Sequence, residues 1–236
     1  MENTLQELLR CPYDGTKINE KLRCEKGHEF SENQYFINLL LQPIKLTGLD
    51  ILNPIYEELW APIGFYITSH NTYSSVLKEV ANYVSGEIVA DLGTGSGKIF
   101  DFMKCKVCIG LDRSENYLKR LKTKRPHVIG IRADLSEKIP LEDSSVDGTS
   151  MTFFLHMLSD KEKVLKEVYR ITKPKGRVGA VVLANNNLIS RILGSVWKLD
   201  IKTTPEYVEL FKRAGFYVED ARVMGAWSLI KARKME

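Results

Sequence analysis

The residues best suited to chemistry fall in two short stretches. Ile88-Val89-Ala90-Asp91-Leu92-Gly93-Thr94-Gly95-Ser96-Gly97 is an apolar run ending in three glycines spaced two apart. Glycine lets a backbone turn sharply and approach a ligand closely, because no Cβ stands in the way. A helix expected after Gly97 would then point its free N–H groups at that ligand. A second apolar run, Val107 to Leu111, ends at Asp112, about twenty residues further on, where an acid can accept from both hydroxyls of a ribose. A third, Val128 to Ala133, ends at Asp134-Leu135. There a carboxylate could accept from an adenine amino group while the leucine N–H meets a ring nitrogen.

The other stretch is near the N-terminus, where Cys11-Pro-Tyr-Asp14 and Cys24-Glu-Lys-Gly-His28 each offer two metal ligands on one short loop. Zinc favours four such donors in a tetrahedron, and ligands two or three residues apart can both point inward from one tight turn. A ribbon this short buries too little apolar surface to hold itself together, which a metal would remedy. Asp14 stands where the second cysteine of a CxxC knuckle is expected, so a carboxylate-ligated zinc site and an emptied remnant both stay open. The remaining CxxC, Cys105-Lys-Val-Cys108, is set aside: its second half reads as a buried strand, whose side chains alternate faces, so two small core-filling thiols are expected.

These residues need elements to hold them. The fourth strand, from Val146-Asp147 to Phe153, follows the first three, and helical segments alternate with all of them. That alternation implies an open α/β sheet with ligands at the carboxyl edge of its strands. Tyr73, Val76, Leu77, Val80 and Val84 recur at helical spacing before Gly86 and predict a helix leading into the sheet. Upstream, Pro43, Gly48, Pro54, Pro62 and Gly64 break a run carrying Tyr56, Trp60, Phe65 and Tyr66, which predicts short helices packed as a linker or lid. Three segments result: a zinc-ribbon-like module over 1–42, a helical linker over 43–74 and a main domain over 75–236.

Asp91-Leu-Gly-Thr-Gly-Ser-Gly97, Asp112, Asp134-Leu135 and Val146-Asp147 resemble, in order and spacing, the motifs of class I S-adenosylmethionine (SAM)-dependent methyltransferases. Leu165-Lys-Glu-Val-Tyr-Arg170-Ile-Thr-Lys-Pro174-Lys-Gly176 and Phe211-Lys-Arg-Ala-Gly215-Phe216 are similar to the ubiquinone-type group within them. The resemblance implies a Rossmann-like, doubly wound sheet of seven mostly parallel strands, closed by a hairpin with one antiparallel strand. It implies SAM as cofactor, contacted by Asp91, Gly93, Thr94, Gly95, Gly97, Asp112, Arg113, Asp134, Leu135 and Met151. Leu8-Leu-Arg-Cys11-Pro12, Cys24-x3-His28-x-Phe30 and Tyr35 to Leu40 resemble the zinc-binding N-terminal domain of ribosomal-RNA guanine-N1 methyltransferases. That likeness implies zinc held by Cys11, Asp14, Cys24 and His28.

Methyl transfer from a sulfonium depends chiefly on positioning. Where the acceptor must lose a proton, His156, just past the fourth strand, is the candidate base, with orientation or space-filling as the other reading. Phe153, Phe154 and Asn185-Asn186-Asn187 are expected beside the acceptor. A small molecule or lipid is the favoured acceptor and an RNA base the alternative; a third possibility is a non-catalytic SAM-binding partner. A net charge of +4 from 34 basic and 30 acidic residues gives little footprint for nucleic acid. The basic clusters Lys119 to Arg125 and Lys173 to Arg177 read as solvated surface at the amino edge of the sheet. The longest apolar run, Phe36 to Leu41, is far short of the ~20 residues of a membrane span. With no secretory pattern at the N-terminus, a cytoplasmic protein is expected. Composition leaves oligomeric state open.

Overall fold

A computed structural model describes residues 2–42 and 61–236. The expectations placed on Pro43, Gly48, Pro54, Tyr56 and Trp60 lie outside the described residues. In chain order the elements are α1 (Glu2–Leu8), β1 (Ser31–Glu32), β2 (Ile37–Asn38), α2 (Ala61–Ser69), α3 (Tyr73–Val84), β3 (Ile88–Leu92), a 3-10 turn (Lys98–Asp101) and β4 (Val107–Asp112). They continue with α4 (Glu115–Lys124), β5 (Ile129–Arg132), β6 (Val146–Thr152), α5 (Lys161–Ile171), β7 (Thr172–Leu183), α6 (Leu188–Val196), α7 (Thr204–Arg213), β8 (Tyr217–Met224) and β9 (Trp227–Arg233).

The strands form one sheet in the order β1-β2-β5-β4-β3-β6-β7-β9-β8. From β5 to β7 every pair is parallel, and β9 runs antiparallel to both β7 and β8, as the hairpin expectation requires. Central strands buried on both faces read as continuous apolar runs, which is why β3 and β4 are visible in the sequence. The order reverses between β3 and its two neighbours, β4 and β6, and such a switch point opens a crevice at the carboxyl ends of the strands.

Nine strands, not seven, are present among the described residues. The extra two come from the N-terminal segment. Asn33 Oδ1 accepts from the N–H groups of Tyr35 and Phe36 at 2.8 and 3.1 Å, closing a turn that folds β1 onto β2. Strand β2 then pairs in parallel with β5, Ile37 against Ile131 and Asn38 against Arg132. Leu8, Leu9, Ile18 and Leu39 share one core with Leu111, Ile131 and Leu141, so the segment is seated on the sheet. Backbone bonds from Arg10 N to Pro140 O (3.1 Å) and from Glu142 N to Leu8 O (2.8 Å) fasten it.

Helix α3 forms where its periodicity predicts. Thr72 caps it by accepting from Ser75 N, and Val76, Leu77, Val80, Ala81 and Val84 are buried against the sheet. Each such Val or Leu contributes about 1.5–3 kcal/mol of burial. The close approach depends on Gly148 in β6, where a Cβ would overlap the Val84 carbonyl.

Two local expectations are corrected. No α-helix follows the glycine turn; one 3-10 turn does. Only residues 98–106 remain to return the chain along the sheet to β4, a span of about 17–20 Å for a typical strand. A nine-residue α-helix would cover about 14 Å and leave nothing for loops. Cys105 and Cys108 are joined by a disulfide rather than packed as two thiols. Cys105 lies before β4, where Lys106 N and Val107 N both donate to Glu87 O and bend the chain, so strict alternation does not apply to it. Among the described residues no helix is long and apolar enough to cross a membrane.

Candidate cofactor and metal sites

Strand β3 ends at Leu92, and Gly93, Gly95 and Gly97 follow with φ of 70, 55 and 78°, all left-handed. Gly93 N and Thr94 N both donate to Leu111 O, at 2.9 and 3.0 Å, pinning the turn to the end of β4. Asp112, the last residue of β4, accepts from Gly95 N at 2.9 Å through Oδ2 and from Ser114 N at 2.8 Å through Oδ1. One carboxylate therefore fixes the glycine turn and the start of α4 together. A Cβ at Gly93 would overlap the ring of Phe154, so the turn and the segment after β6 close on each other there.

The far side of the turn is held by Arg125. Its guanidinium takes Asp101 in a two-pronged grip, at 2.8 and 2.6 Å, and donates to Ser96 O at 2.8 Å. Arg125 is 8% exposed. That corrects its reading as part of a solvated cluster. Only the fold brings a residue 29 positions from Ser96 beneath the turn.

Asp91 lies inside the sheet, accepting from Ser150 Oγ on β6 at 2.6 Å. Burial pushes its carboxyl up to about 7, with the Asp112 charge adding and the Ser150 and Thr94 bonds subtracting. Asp134 at the end of β5 is half-buried, and its Oδ1 accepts from Ser136 N and Oγ at 2.9 and 2.7 Å. Leu135 and Met151 are buried, while Arg113 is exposed and its carbonyl accepts from Arg132 Nε at 3.1 Å. The sequence-selected residues thus gather at the carboxyl ends of β3, β4, β5 and β6.

Past β6, Phe153 has φ 62°, a left-handed value that costs a bulky residue roughly 1–3 kcal/mol. The strain presents its ring to an aromatic group: Tyr73 stacks on it at 5.0 Å, and Phe65 and Trp227 meet it edge-on at 5.1 and 5.2 Å. His156 packs edge-on against Trp227 at 5.5 Å, with Nδ1 buried and without a hydrogen-bond partner. Burial, helped by the Lys161 charge, lowers its pKa to about 3, so the imidazole is neutral and a poor proton acceptor near neutral pH. Sequence reading places Tyr73 only in a helix and does not single out Trp227, because a helix start and a hairpin strand carry no sign that they converge.

The asparagines after β7 have structural partners. Asn186 donates to Ser228 Oγ at 3.0 Å and accepts from Thr204 Oγ1 at 2.8 Å, tying β7, β9 and α7 together. Asn187 caps α6 by accepting from Ser190 N at 2.9 Å.

In the N-terminal segment, Cys11, Asp14, Cys24 and His28 each turn one donor atom to a common centre, all within 4.8 Å of one another. His28 Nδ1 lies 2.8 Å from Asp14 Oδ2, 3.4 Å from Cys11 Sγ and 3.3 Å from Cys24 Sγ, and Cys24 Sγ lies 3.2 Å from Asp14 Oδ2. Zinc–ligand lengths of ~2.0–2.3 Å set the edges of a tetrahedron at roughly 3.3–3.8 Å, so this donor set fits with small outward shifts. Turns closed by Gly15 N to Cys11 O and Gly27 N to Cys24 O aim each donor pair inward. Asp14 is oriented by Thr16, whose N and Oγ1 donate to its Oδ1 at 2.8 and 2.6 Å, leaving Oδ2 for the centre. Burial pushes the Cys11 thiol up to about 11. A dication among the four donors would reverse that and bind the thiolate.

Residues 90–180 match the family model described as a methyltransferase domain. An uncharacterised methyltransferase-like protein of Schizosaccharomyces pombe is 32% identical over 143 residues, 59% of this chain and 49% of the relative. The demethylmenaquinone methyltransferase of Thermotoga maritima is 32% identical over 133 residues, 53% of this chain and 56% of the relative. The chain thus spans about half the length of these curated relatives. Among solved structures, a chain from the complex of the Haloferax volcanii Trm112 methyltransferase activator with a methyltransferase superposes with a TM-score of 0.68 at 18% identity, over 82% of this chain and all of that one. Sheet order and the superposition agree on the fold: this chain has the α/β fold of solved methyltransferases, and its residues 90–180 are similar to a methyltransferase domain.

Proposed function

We propose that this chain is a SAM-dependent methyltransferase acting on a small-molecule or lipid acceptor. The observation that carries the reading is the left-handed glycine turn pinned through Gly95 to Asp112, inside the segment that matches a methyltransferase domain. SAM supplies an activated methyl group on a sulfonium. The chain binds and orients it: Gly93, Thr94, Gly95 and Gly97 let the backbone approach, Asp112 with Arg113 takes the ribose, and Asp134 with Leu135 takes the adenine. Asp91 and Met151 support the site from the sheet beneath. The residues fit such a group, because the half-buried carboxylates of Asp112 and Asp134 stand at the carboxyl ends of β4 and β5, where they can accept from ribose hydroxyls and an adenine amino group.

Phe153, Tyr73, Phe65 and Trp227 form the apolar wall that excludes water from the acceptor. His156 serves that wall as a neutral imidazole, its unpartnered Nδ1 accepting a hydrogen bond from the acceptor rather than removing its proton. The similarity to a demethylmenaquinone methyltransferase supports a ring-containing lipid acceptor. Zinc in the Cys11, Asp14, Cys24 and His28 site would hold the N-terminal module on the edge of the sheet over 1–42, beside the main domain over 75–236.

Calorimetric titration with SAM, then transfer of labelled methyl to a lipid extract or to total RNA, tests the reading. Binding with label in the lipid extract supports it. Label in RNA moves the acceptor to a nucleic-acid base, and absence of SAM binding overturns it.

A further inference from the structure

Helix α6 is turned inside out. A surface helix normally faces its apolar stripe to the core, but α6 buries Ser190 and Gly194 and leaves Leu188 69%, Ile192 54% and Val196 68% exposed, with Trp197 at its end 44% exposed. Its capping box and the seat of Gly194 against Ile201 hold this orientation, since a Cβ at Gly194 would overlap Ile201. Helix α2 contributes Ile63 and Ile67, also exposed. The end of α2 and the segment before α6 are bridged by Ala226, whose N donates to Thr68 O and whose carbonyl accepts from Ala184 N. Trp227, beside that junction, belongs to the aromatic wall.

The charges on α6 and at its C-terminal end are one-sided. The helix carries no carboxylate, and Arg191 and Lys198 have no carboxylate partner among the described residues. Lys202 and the nearby Lys161 share Asp200, at 2.9 and 3.7 Å. An exposed apolar strip with a tryptophan at one end and unneutralised cations beside it is the pattern of a helix lying in a membrane interface. A second copy is the poorer occupant. Pairing the face with itself would bring the Arg191 and Lys198 cations of both copies into one interface with no carboxylate of the helix to offset them.

We propose that the apolar face of α6, with the neighbouring face of α2, docks on an anionic lipid bilayer and thereby sets the aromatic wall at the membrane surface. The purpose assigned to docking rests on the methyltransferase reading; the docking itself does not.

The test is sedimentation of the full chain with vesicles of phosphatidylcholine alone and of phosphatidylcholine mixed with phosphatidylglycerol. Binding to the mixed vesicles that weakens with salt is expected. The pair Ile192→Glu and Val196→Glu, both at exposed positions, should lower that binding about tenfold or more while thermal midpoint and SAM titration stay as in the parent. Lys198→Glu should weaken binding to the mixed vesicles alone. No binding to the mixed vesicles, or equal binding by the glutamate pair, overturns the proposal. So does a dimeric parent made monomeric by that pair, which assigns the face to a second copy. Vesicle binding without SAM binding sinks the methyltransferase reading alone, and the converse sinks only the docking.

Discussion

Asp91 should make the fold less stable as pH rises, and Asp91→Asn should remove that dependence. Burial carries this carboxyl from 3.8 to about 7. Below 3.8 it is protonated in folded and unfolded chain alike and exerts no effect. From there to about 7 the unfolded chain loses the proton while the folded chain keeps it, so stability falls with rising pH. Above about 7 both are ionised and the penalty is constant, at about 4 kcal/mol. Asparagine is close to isosteric, and its Oδ1 can accept from Ser150 as the carboxylate does. Any fixed cost of the amide displaces the whole stability curve without changing its shape. His156 works in the opposite sense, since a histidine lowered to about 3 loses stability as pH falls below 6.5. The difference between parent and variant isolates Asp91 from it. In guanidinium unfolding from about pH 5 to about pH 8, the difference should move by roughly 2–3 kcal/mol in favour of the variant. Parallel parent and variant curves over that range would refute the reasoning.

Gly93→Ala should lower both the thermal midpoint and SAM affinity: the left-handed φ of 70° costs alanine about 1–2 kcal/mol, and the new Cβ would lie 2.8 Å from that of Phe154. Calorimetry should show SAM affinity down at least about tenfold, and an unchanged affinity would mean the turn does not carry the cofactor. Elemental analysis should find one zinc per chain, and Thr16→Val, which removes one of the two bonds orienting Asp14, should weaken zinc binding about tenfold or more in a chelator competition. Nitrogen-resolved NMR should show the His156 ring neutral down to about pH 5; titration near 6.5 would restore it as a candidate base.

The parts legible in the sequence are those whose signal is local. Val89 to Leu92 and Cys108 to Leu111 are buried on both faces, so each strand is a continuous apolar run, and the turn after β3 is marked by glycines. Cys11, Asp14, Cys24 and His28 are paired by short spacings, and the structure brings their donors together. What escaped depends on distant partners. Arg125 looks like one of several cations after Leu118, and only the crossing of α4 beneath the glycine turn gives it Asp101 and Ser96. The Cys105–Cys108 disulfide sits at a bend where Lys106 N and Val107 N both donate to Glu87 O, a residue eighteen positions before Cys105. Strands of two residues, such as Ser31–Glu32 and Ile37–Asn38, are too short to show any alternation.

Those two short strands link the Cys11, Asp14, Cys24 and His28 cluster, distant in sequence, to the strand that ends beside Asp134. The open edge of β5 would otherwise present unpaired backbone groups, which natural sheets cover. β2 covers it, and Leu39 N extends the pairing by donating to Arg132 O at 2.9 Å, two residues before Asp134. Two residues of pairing are too little to hold by themselves; the segment stays because Leu9, Ile18 and Leu39 are buried and because four donors can be cross-linked by one ion. Free energy of metal binding is then also free energy of edge pairing. On the proposed function, zinc in the ribbon would bear on the cofactor site mechanically, through β5, with no contact to the cofactor.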